Sequence, residues 1–354
     1  MASNQRGVFH HPYALQKISE LGDGFVGNSY DTVGLYRASE KVAEFVHRTP
    51  CKKSSTINEL CGKNVFLKME NLQKTGSFKI RGAMNKVSQL TEAECAKGLI
   101  AASAGNHAQG VAYAGKARNV PVTIYMPIGT PAAKVNATKG YGATVKLVGQ
   151  NFDEAYVAAR EEQLRTGATF IHPFDDLAVI EGQATVAMEM LQQRPEIDTI
   201  IVPAGGGGLL AGTLLAVKSI RPDVRVIGVQ SINSAAIAIA YKGKNDGLVP
   251  FQGKTIAEGI NVKIPGKLTM NIIHSFVDDI ITVTEQEIAS AIIFMLEREK
   301  TLIEGAGAAA VAAVLNNRIP STAENVGIIV SGGNFDVGKL SECQQMSIQV
   351  PLAK

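Results

Sequence analysis

A lysine becomes a reagent when its amine is withdrawn from water, and the segment NLQKTGSFKIRGA (residues 71–83) offers one candidate. Lys79 directly follows Ser77 and Phe78 and precedes Arg81, Gly82 and Ala83, at what reads as the mouth of a helix. An exposed lysine there is only a solvated charge. A desolvated one is a nucleophile and a base.

Three further segments could supply partners for it. In TIIVPAGGGGLLAGTLL an apolar strand runs into Gly205, Gly206, Gly207 and Gly208, and a helix beginning near Leu209 follows at once. Residues without Cβ let the backbone approach a ligand, and the helix start offers unpaired N–H groups and a positive dipole end, which suit a phosphate. A tight turn alone needs one or two glycines. No Lys-Ser/Thr pair follows them, so this is not a nucleotide P-loop. Gly206, Gly208 and Ala211 do fit G-x-G-x-x-A, which makes a dinucleotide a rival ligand. That fingerprint wants an acidic residue at the end of the next strand, and VRVIGVQS ends in Gln230-Ser231, which weakens the rival. In SAGNHAQG, Ser103, Gly105, Asn106 and His107 gather at a helix start, where N–H groups and the Asn106 amide could hold a carboxylate; a plain helix cap by Ser103 or Asn106 explains the segment equally well. In IIVSGGNFD, Ser331 ends a strand beside two glycines, which a β-turn would also explain. A lysine, a phosphate cradle and a carboxylate loop together fit one cofactor. Pyridoxal 5'-phosphate needs a lysine for its Schiff base, a phosphate site and a partner for its ring nitrogen.

These segments are carried by a regular alternation. NVFLKME, GLIAAS, VPVTIYMP, TVKLVG, ATFIHP, DTIIVPA, VRVIGVQ and NVGIIVSGG read as strands. Between and around them IRGAMNKVSQL, AGNHAQGVAYAGKARN, PAAKVNATKGYG, DEAYVAAREEQLRTG, LLAGTLLAVKSI, EQEIASAIIFMLEREK and GAGAAAVAAVLNN read as helices, as does SEKVAEFVHRTP (39–50), closed by Pro50. Strands alternating with helices predict an α/β fold of parallel sheets covered on both faces, with ligands beyond the carboxyl ends of the strands. The predicted division is two lobes, the smaller inserted in the larger: residues 31–92 and 176–345 form the large lobe and 93–175 the small one. Residues 1–30 read as a partly disordered extension and 346–354 as a tail.

Composition narrows the partners. A formal charge of +3 without a basic run argues against nucleic acid. No apolar run reaches a membrane span, and the N-terminus lacks the apolar stretch of a secretory signal. Cys51, Cys61, Cys95 and Cys343 are widely spread, without zinc-site spacing, as expected of free thiols in the cytoplasm. The expectation is an enzyme acting on a small molecule, with no metal.

The five segments NLQKTGSFKIRGA, SAGNHAQG, PAGGGGLLAG, EGAGAAA and SGGN, in this order, resemble those of the serine/threonine dehydratases and serine racemases, pyridoxal phosphate enzymes of fold type II. The likeness covers about residues 38–343. It implies that Lys79 carries the cofactor and removes the substrate's α-proton, that Phe78 lies against the ring, and that Asn106 binds the phenolic oxygen. It implies that Gly205–Gly208 and Leu209 hold the phosphate, that Ser331 meets the ring nitrogen and that Glu304 lies near the cofactor. Ser103, Gly105, Asn106 and His107 would bind the substrate carboxylate. It further implies a homodimer or homotetramer and a β-elimination of water from L-threonine or L-serine, giving 2-oxobutanoate or pyruvate and ammonia. Where the racemases have a second serine in the carboxylate loop, this chain has Ala104, which cannot carry a proton; elimination is therefore expected over racemisation. Gln230, Ser234 and Ala236 stand where the racemases' metal ligands are placed. Glu258 stands where the family usually has aspartate. Few residues follow the last motif, so the short catabolic dehydratases match better than the long biosynthetic ones with a regulatory domain. The alternatives are a serine racemase, a β-replacing enzyme akin to cysteine synthase and, from another class, a dinucleotide-dependent oxidoreductase.

Overall fold

A computed structural model describes residues 32–243, 251 and 253–347. The expected N-terminal extension and most of the expected tail lie outside them. The described residues form two sheets. One has the strand order β1-β2-β10-β7-β8-β9, from Cys51–Lys53 (β1), Asn64–Met69 (β2), Asn325–Val330 (β10), Thr199–Pro203 (β7), Arg225–Ser231 (β8) and Asp279–Val283 (β9). The other has the order β5-β4-β3-β6, from Thr144–Leu147 (β5), Val122–Met126 (β4), Leu99–Ala102 (β3) and Thr169–Phe170 (β6). All neighbouring pairs are parallel except β1 with β2. The central strands β7 and β10 are apolar along their length and buried on both faces, as parallel strands between helical layers must be. Helix Gly305–Leu315 is apolar all round and wholly buried behind the six-stranded sheet.

The topology sets the four glycine-bearing segments at strand ends. The loops after β2, β10 and β7 belong to adjacent strands of the large sheet, and the loop after β3 belongs to an interior strand of the small one. Register fixes their levels: Met69 pairs with Val330, and Ile328 with Ile201. The ends that carry Lys79, Ser331 and the glycine run thus emerge side by side.

Helix Lys79–Ser88 is held from beneath by close backbone packing and by charge. A Cβ at Gly182 of helix Leu177–Gln193 would come within 2.6 Å of the Arg81 carbonyl oxygen and the Gly82 Cα, so the two helices meet backbone to backbone. Arg81 is fully buried and spends its guanidinium on two carboxylates. It donates to Glu70 at 2.8 and 2.9 Å and to Glu189 at 2.7 and 2.9 Å. Lys68, also buried, donates to Glu189 at 2.7 Å, and Thr49 donates to Glu70 at 2.5 Å. Burial alone would raise the Glu70 carboxyl, but the Arg81 charge outweighs it and holds the group below its ordinary range. Two cations and two anions close this cluster.

Three sequence expectations are revised. The first helix spans Thr32–Ala43 and ends before Pro50, not at it. Residues 47–49 are drawn out of the helix to cover the charge cluster: Gln73 accepts from the His47 N–H at 2.8 Å, and the Thr49 carbonyl accepts from Lys68 at 2.8 Å. Helix Leu177–Gln193, capped by Asp176 through the Val179 N–H at 3.1 Å, was not expected at all. Nor was the antiparallel edge strand β1. Among the described residues no helix is long and apolar enough to cross a membrane.

Candidate active site

The Lys79 amine sits in the first turn of its helix, donating to the Pro173 carbonyl at 2.8 Å and lying 5.3 Å from the centre of the Phe78 ring. Burial lowers its pKa to about 8, against the opposing pull of Glu304. A sizeable fraction is therefore neutral near physiological pH, which a nucleophile and base requires. The Phe78 N–H donates to the Ser331 carbonyl at 3.1 Å, and Ser77 bridges to Gly332, so the lysine segment is tied to the loop after β10. Ser331 is buried, and its hydroxyl meets no hydrogen-bond partner among the described residues.

The glycine run is shaped by its neighbours. A Cβ on Gly206 would fall 2.3 Å from the Phe174 ring, and Gly207 has φ +95° with its Cβ position 2.8 Å from Thr269. Larger residues are excluded by space at the first position and by conformation at the second. Thr269 donates its hydroxyl to the Gly206 carbonyl at 2.8 Å, turning that carbonyl away from the loop's mouth. The N–H groups of Gly205 through Leu209 donate to no acceptor among the described residues. Helix Gly208–Ile220 starts within that run. Unpaired N–H groups converging at a helix start are an anion cradle, and a phosphate group fits it.

The loop after β3 opens helix Asn106–Ala117. A Cβ on Gly105 would meet nothing within 4 Å, so this side of the loop faces open space. Ser103 Oγ accepts from the Gly105 N–H at 3.2 Å. His107 is buried, its Nε2 lies 2.8 Å from the Ile171 carbonyl, and burial with the nearby Lys79 charge lowers its pKa to about 3. Its ring is neutral and committed, so only its backbone N–H remains for a ligand. Asn106 donates to Glu304 Oε1 at 2.6 Å. Burial pushes the Glu304 carboxyl up to about 7, although the Asn106 bond pulls the other way.

Some residues at the site have no signature of their own in the sequence. Segment 171–175, between β6 and helix Leu177–Gln193, touches the lysine, the loop after β3 and the glycine run. Ile171 and Pro173 offer the carbonyls to His107 and Lys79, and Phe174 walls the glycine run. The Asp175 carboxylate accepts the N–H groups of Lys267, Leu268 and Thr269 at 3.1, 2.9 and 3.1 Å, capping helix Lys267–Phe276. Asp175→Ala is expected to cost about 1–2 kcal/mol of stability as a lost cap and, by freeing Thr269, to weaken cofactor binding several-fold; fluorescence titration of the apoprotein reads the latter. Glu258 joins Lys134 at 2.6 Å and also contacts Lys339, bridging helix Ala132–Gly140 to the turn Val337–Lys339. At the end of β8, Gln230 donates to the Ala204 carbonyl at 3.1 Å and accepts from the Ala238 N–H at 2.9 Å, and the carboxylate next to Ser231, that of Glu285, is taken up by Ser231, Thr255 and the Ile256 N–H.

A lysine with a lowered pKa, an anion cradle and an unengaged serine hydroxyl, all at the ends of neighbouring strands, define a cofactor enzyme of the two-lobed α/β kind. The chain belongs to the pyridoxal-phosphate dependent enzyme family, whose model matches residues 42–332. It is 48% identical over 308 residues to an L-threonine ammonia-lyase of Thermotoga maritima, covering 86% of this chain and 76% of the relative. Among solved structures it superposes on maize serine racemase with a TM-score of 0.83 at 36% identity, covering 90% of this chain and 98% of that one. It superposes equally, at 0.83 and 33% identity, on the processed form of threonine deaminase isoform 2 from Solanum lycopersicum, covering 90% of each chain. The cofactor is pyridoxal phosphate, and the fold is that of fold type II.

Proposed function

We propose that the protein is an ammonia-lyase that removes water and then ammonia from L-threonine, and from L-serine, to give 2-oxobutanoate and pyruvate. The water lost in the first step returns in the hydrolysis that frees ammonia, so the net reaction takes up none. The observation that carries this reading is Lys79, a half-buried amine of lowered pKa that donates to the Pro173 carbonyl beside Phe174, the wall of the glycine run. The 48% identity to an L-threonine ammonia-lyase supports the substrate.

The N–H groups of Gly205 to Leu209 would hold the cofactor phosphate, and Phe78, Asn106 and Ser331 would serve its ring, phenolic oxygen and ring nitrogen. Pyridoxal phosphate, once bound, supplies an electron sink at the substrate α-carbon, and a hydroxyl partner at the ring nitrogen keeps that sink weak, which favours elimination. Ser103, Gly105, Asn106 and the His107 N–H bind the substrate carboxylate at the helix start, where the dipole favours negative charge. The neutral Lys79 amine takes the α-proton. Ala104 brings no proton to the carboxylate loop, so the proton taken by Lys79 is not returned on the opposite face. The four thiols are unpaired, which suits the cytoplasm. A homodimer or homotetramer completes the reading; light scattering tests it, and a monomer would overturn that part.

The test is 2-oxo acid release from L-threonine and L-serine by the purified protein with pyridoxal phosphate, with D-serine measured in the same samples. Oxo acid in excess over D-serine is expected. D-serine in excess would favour the racemase reading. The rate at which apoprotein takes up pyridoxal phosphate is expected to rise with pH through a midpoint of about 8, as Lys79 loses its proton; stopped-flow absorbance reads it, and a flat profile from pH 6 to 10 would contradict a lowered lysine.

A further inference from the structure

The Asn106 amide can face its neighbours two ways, and only one leaves an N–H for the cofactor. Its orientation follows from a chain of contacts that starts at a backbone carbonyl. Asn334 Nδ2 lies 2.9 Å from the Thr75 carbonyl oxygen and 2.7 Å from Asn106 Oδ1. A carbonyl oxygen only accepts, so the Asn334 group facing it must be its NH2. The same NH2 faces Asn106, so the Asn106 atom there must be the oxygen. Asn106 then turns its own NH2 to the Glu304 carboxylate at 2.6 Å. One Asn106 N–H is spent on Glu304, and the second meets no acceptor among the described residues.

The backbone makes room for this chain on both sides. Gly76 has φ +70°, and a Cβ there would strike Asn334 Oδ1 at 2.5 Å. A Cβ on Gly332 would strike Glu304 Oε1 at 2.5 Å and approach Asn106 Nδ2 to 3.2 Å. Glycines of two separate segments, TGSFK and SGGN, thus clear the space for Asn334, Asn106 and Glu304.

We propose that Asn334 is a positioning residue for the cofactor: by donating to both the Thr75 carbonyl and Asn106 Oδ1 it fixes the Asn106 amide so that an N–H points to the phenolic oxygen. This rests on the reading that Asn106 binds that oxygen. Asn334 itself touches neither substrate nor reacting atoms. It is exposed, so its replacement leaves the fold intact.

Asn334→Asp is the sharp test, because a carboxylate cannot donate. Facing it, the Asn106 amide turns over and presents its oxygen towards Glu304 and the cofactor. Apoprotein of Asn334→Asp, Asn334→Ala and Asn106→Ala is titrated with pyridoxal phosphate by fluorescence, and the visible band of each bound form is followed with pH. Asn334→Asp is expected to weaken binding about tenfold and to move the band's pH midpoint in the same direction as Asn106→Ala. Asn334→Ala is expected to have a smaller effect of the same kind, with melting temperatures of both Asn334 variants within a few degrees of wild type. Wild-type affinity and spectrum in both Asn334 variants, with Asn106→Ala altered, would overturn the proposal. An unaltered Asn106→Ala would overturn the underlying reading of Asn106 instead.

Discussion

Lys79→Ala is expected to lower kcat for 2-oxo acid release by about 10³-fold or more, since it removes both the covalent anchor of the cofactor and the base. Among the described residues no neighbouring lysine is placed to take over. Lys134 is paired with Glu258 at 2.6 Å, and Lys74 lies over the Tyr113 ring at 5.8 Å. The Lys79 amine makes a single hydrogen bond, to the Pro173 carbonyl, so the loss is catalytic and not structural. Thermal melts should therefore show a variant as stable as the wild-type apoprotein. Turnover within tenfold of wild type would remove Lys79 from the mechanism.

Arg81→Met acts through a different physical term. Methionine fills part of the volume but leaves Glu70 and Glu189 facing each other without their common cation. Removing one partner of a buried ion pair costs about 3–5 kcal/mol, because the remaining charge cannot be rehydrated. Denaturant melts of the apoprotein read this directly. The cluster also makes stability fall with acid. The folded Glu70 carboxyl is held below its ordinary value, so its contribution is complete above the ordinary carboxylate range. It is lost as pH falls through the lowered folded value. In Arg81→Met that acid loss should disappear or reverse, since burial without Arg81 raises the carboxyl and protonation then favours the folded state. A variant with unchanged midpoint and unchanged acid limb would show that the cluster adds nothing to stability. Because Arg81 lies two residues after Lys79 in the same helix, a destabilised variant should also bind pyridoxal phosphate less tightly.

Much of this arrangement was legible in the sequence because short apolar runs followed at once by glycine are a local signal. β3, β7 and β10 and their loops were found this way, and with them the glycine run, the Asn106 loop and Ser331; Lys79, beyond β2, stood out by its own segment, NLQKTGSFKIRGA. What escaped was set by tertiary contact. Helix Leu177–Gln193 carries Gly182 in its interior, which lowers helix propensity and makes sense only against the Arg81 carbonyl of another helix. The Asp176 cap was the available clue to its start. β1 is three residues long, CKK, with no apolar pattern, and exists only by pairing with β2. The first helix ended early because Gln73 and Lys68 recruit residues 47 and 49. Phe174, Asp175 and Asn334 act on segments far away in the chain, so no spacing rule could assign them. Glu258, unexplained as a residue type, acquires a role from two lysines that the fold brings to it.

The most direct test is to load the protein with pyridoxal phosphate, reduce it with borohydride so that the lysine–cofactor bond becomes permanent, and map the label by mass spectrometry of the digest. The expected result is one pyridoxyl group, on Lys79. A label on Lys74, Lys134 or any other lysine, or none at all, would contradict the site described above.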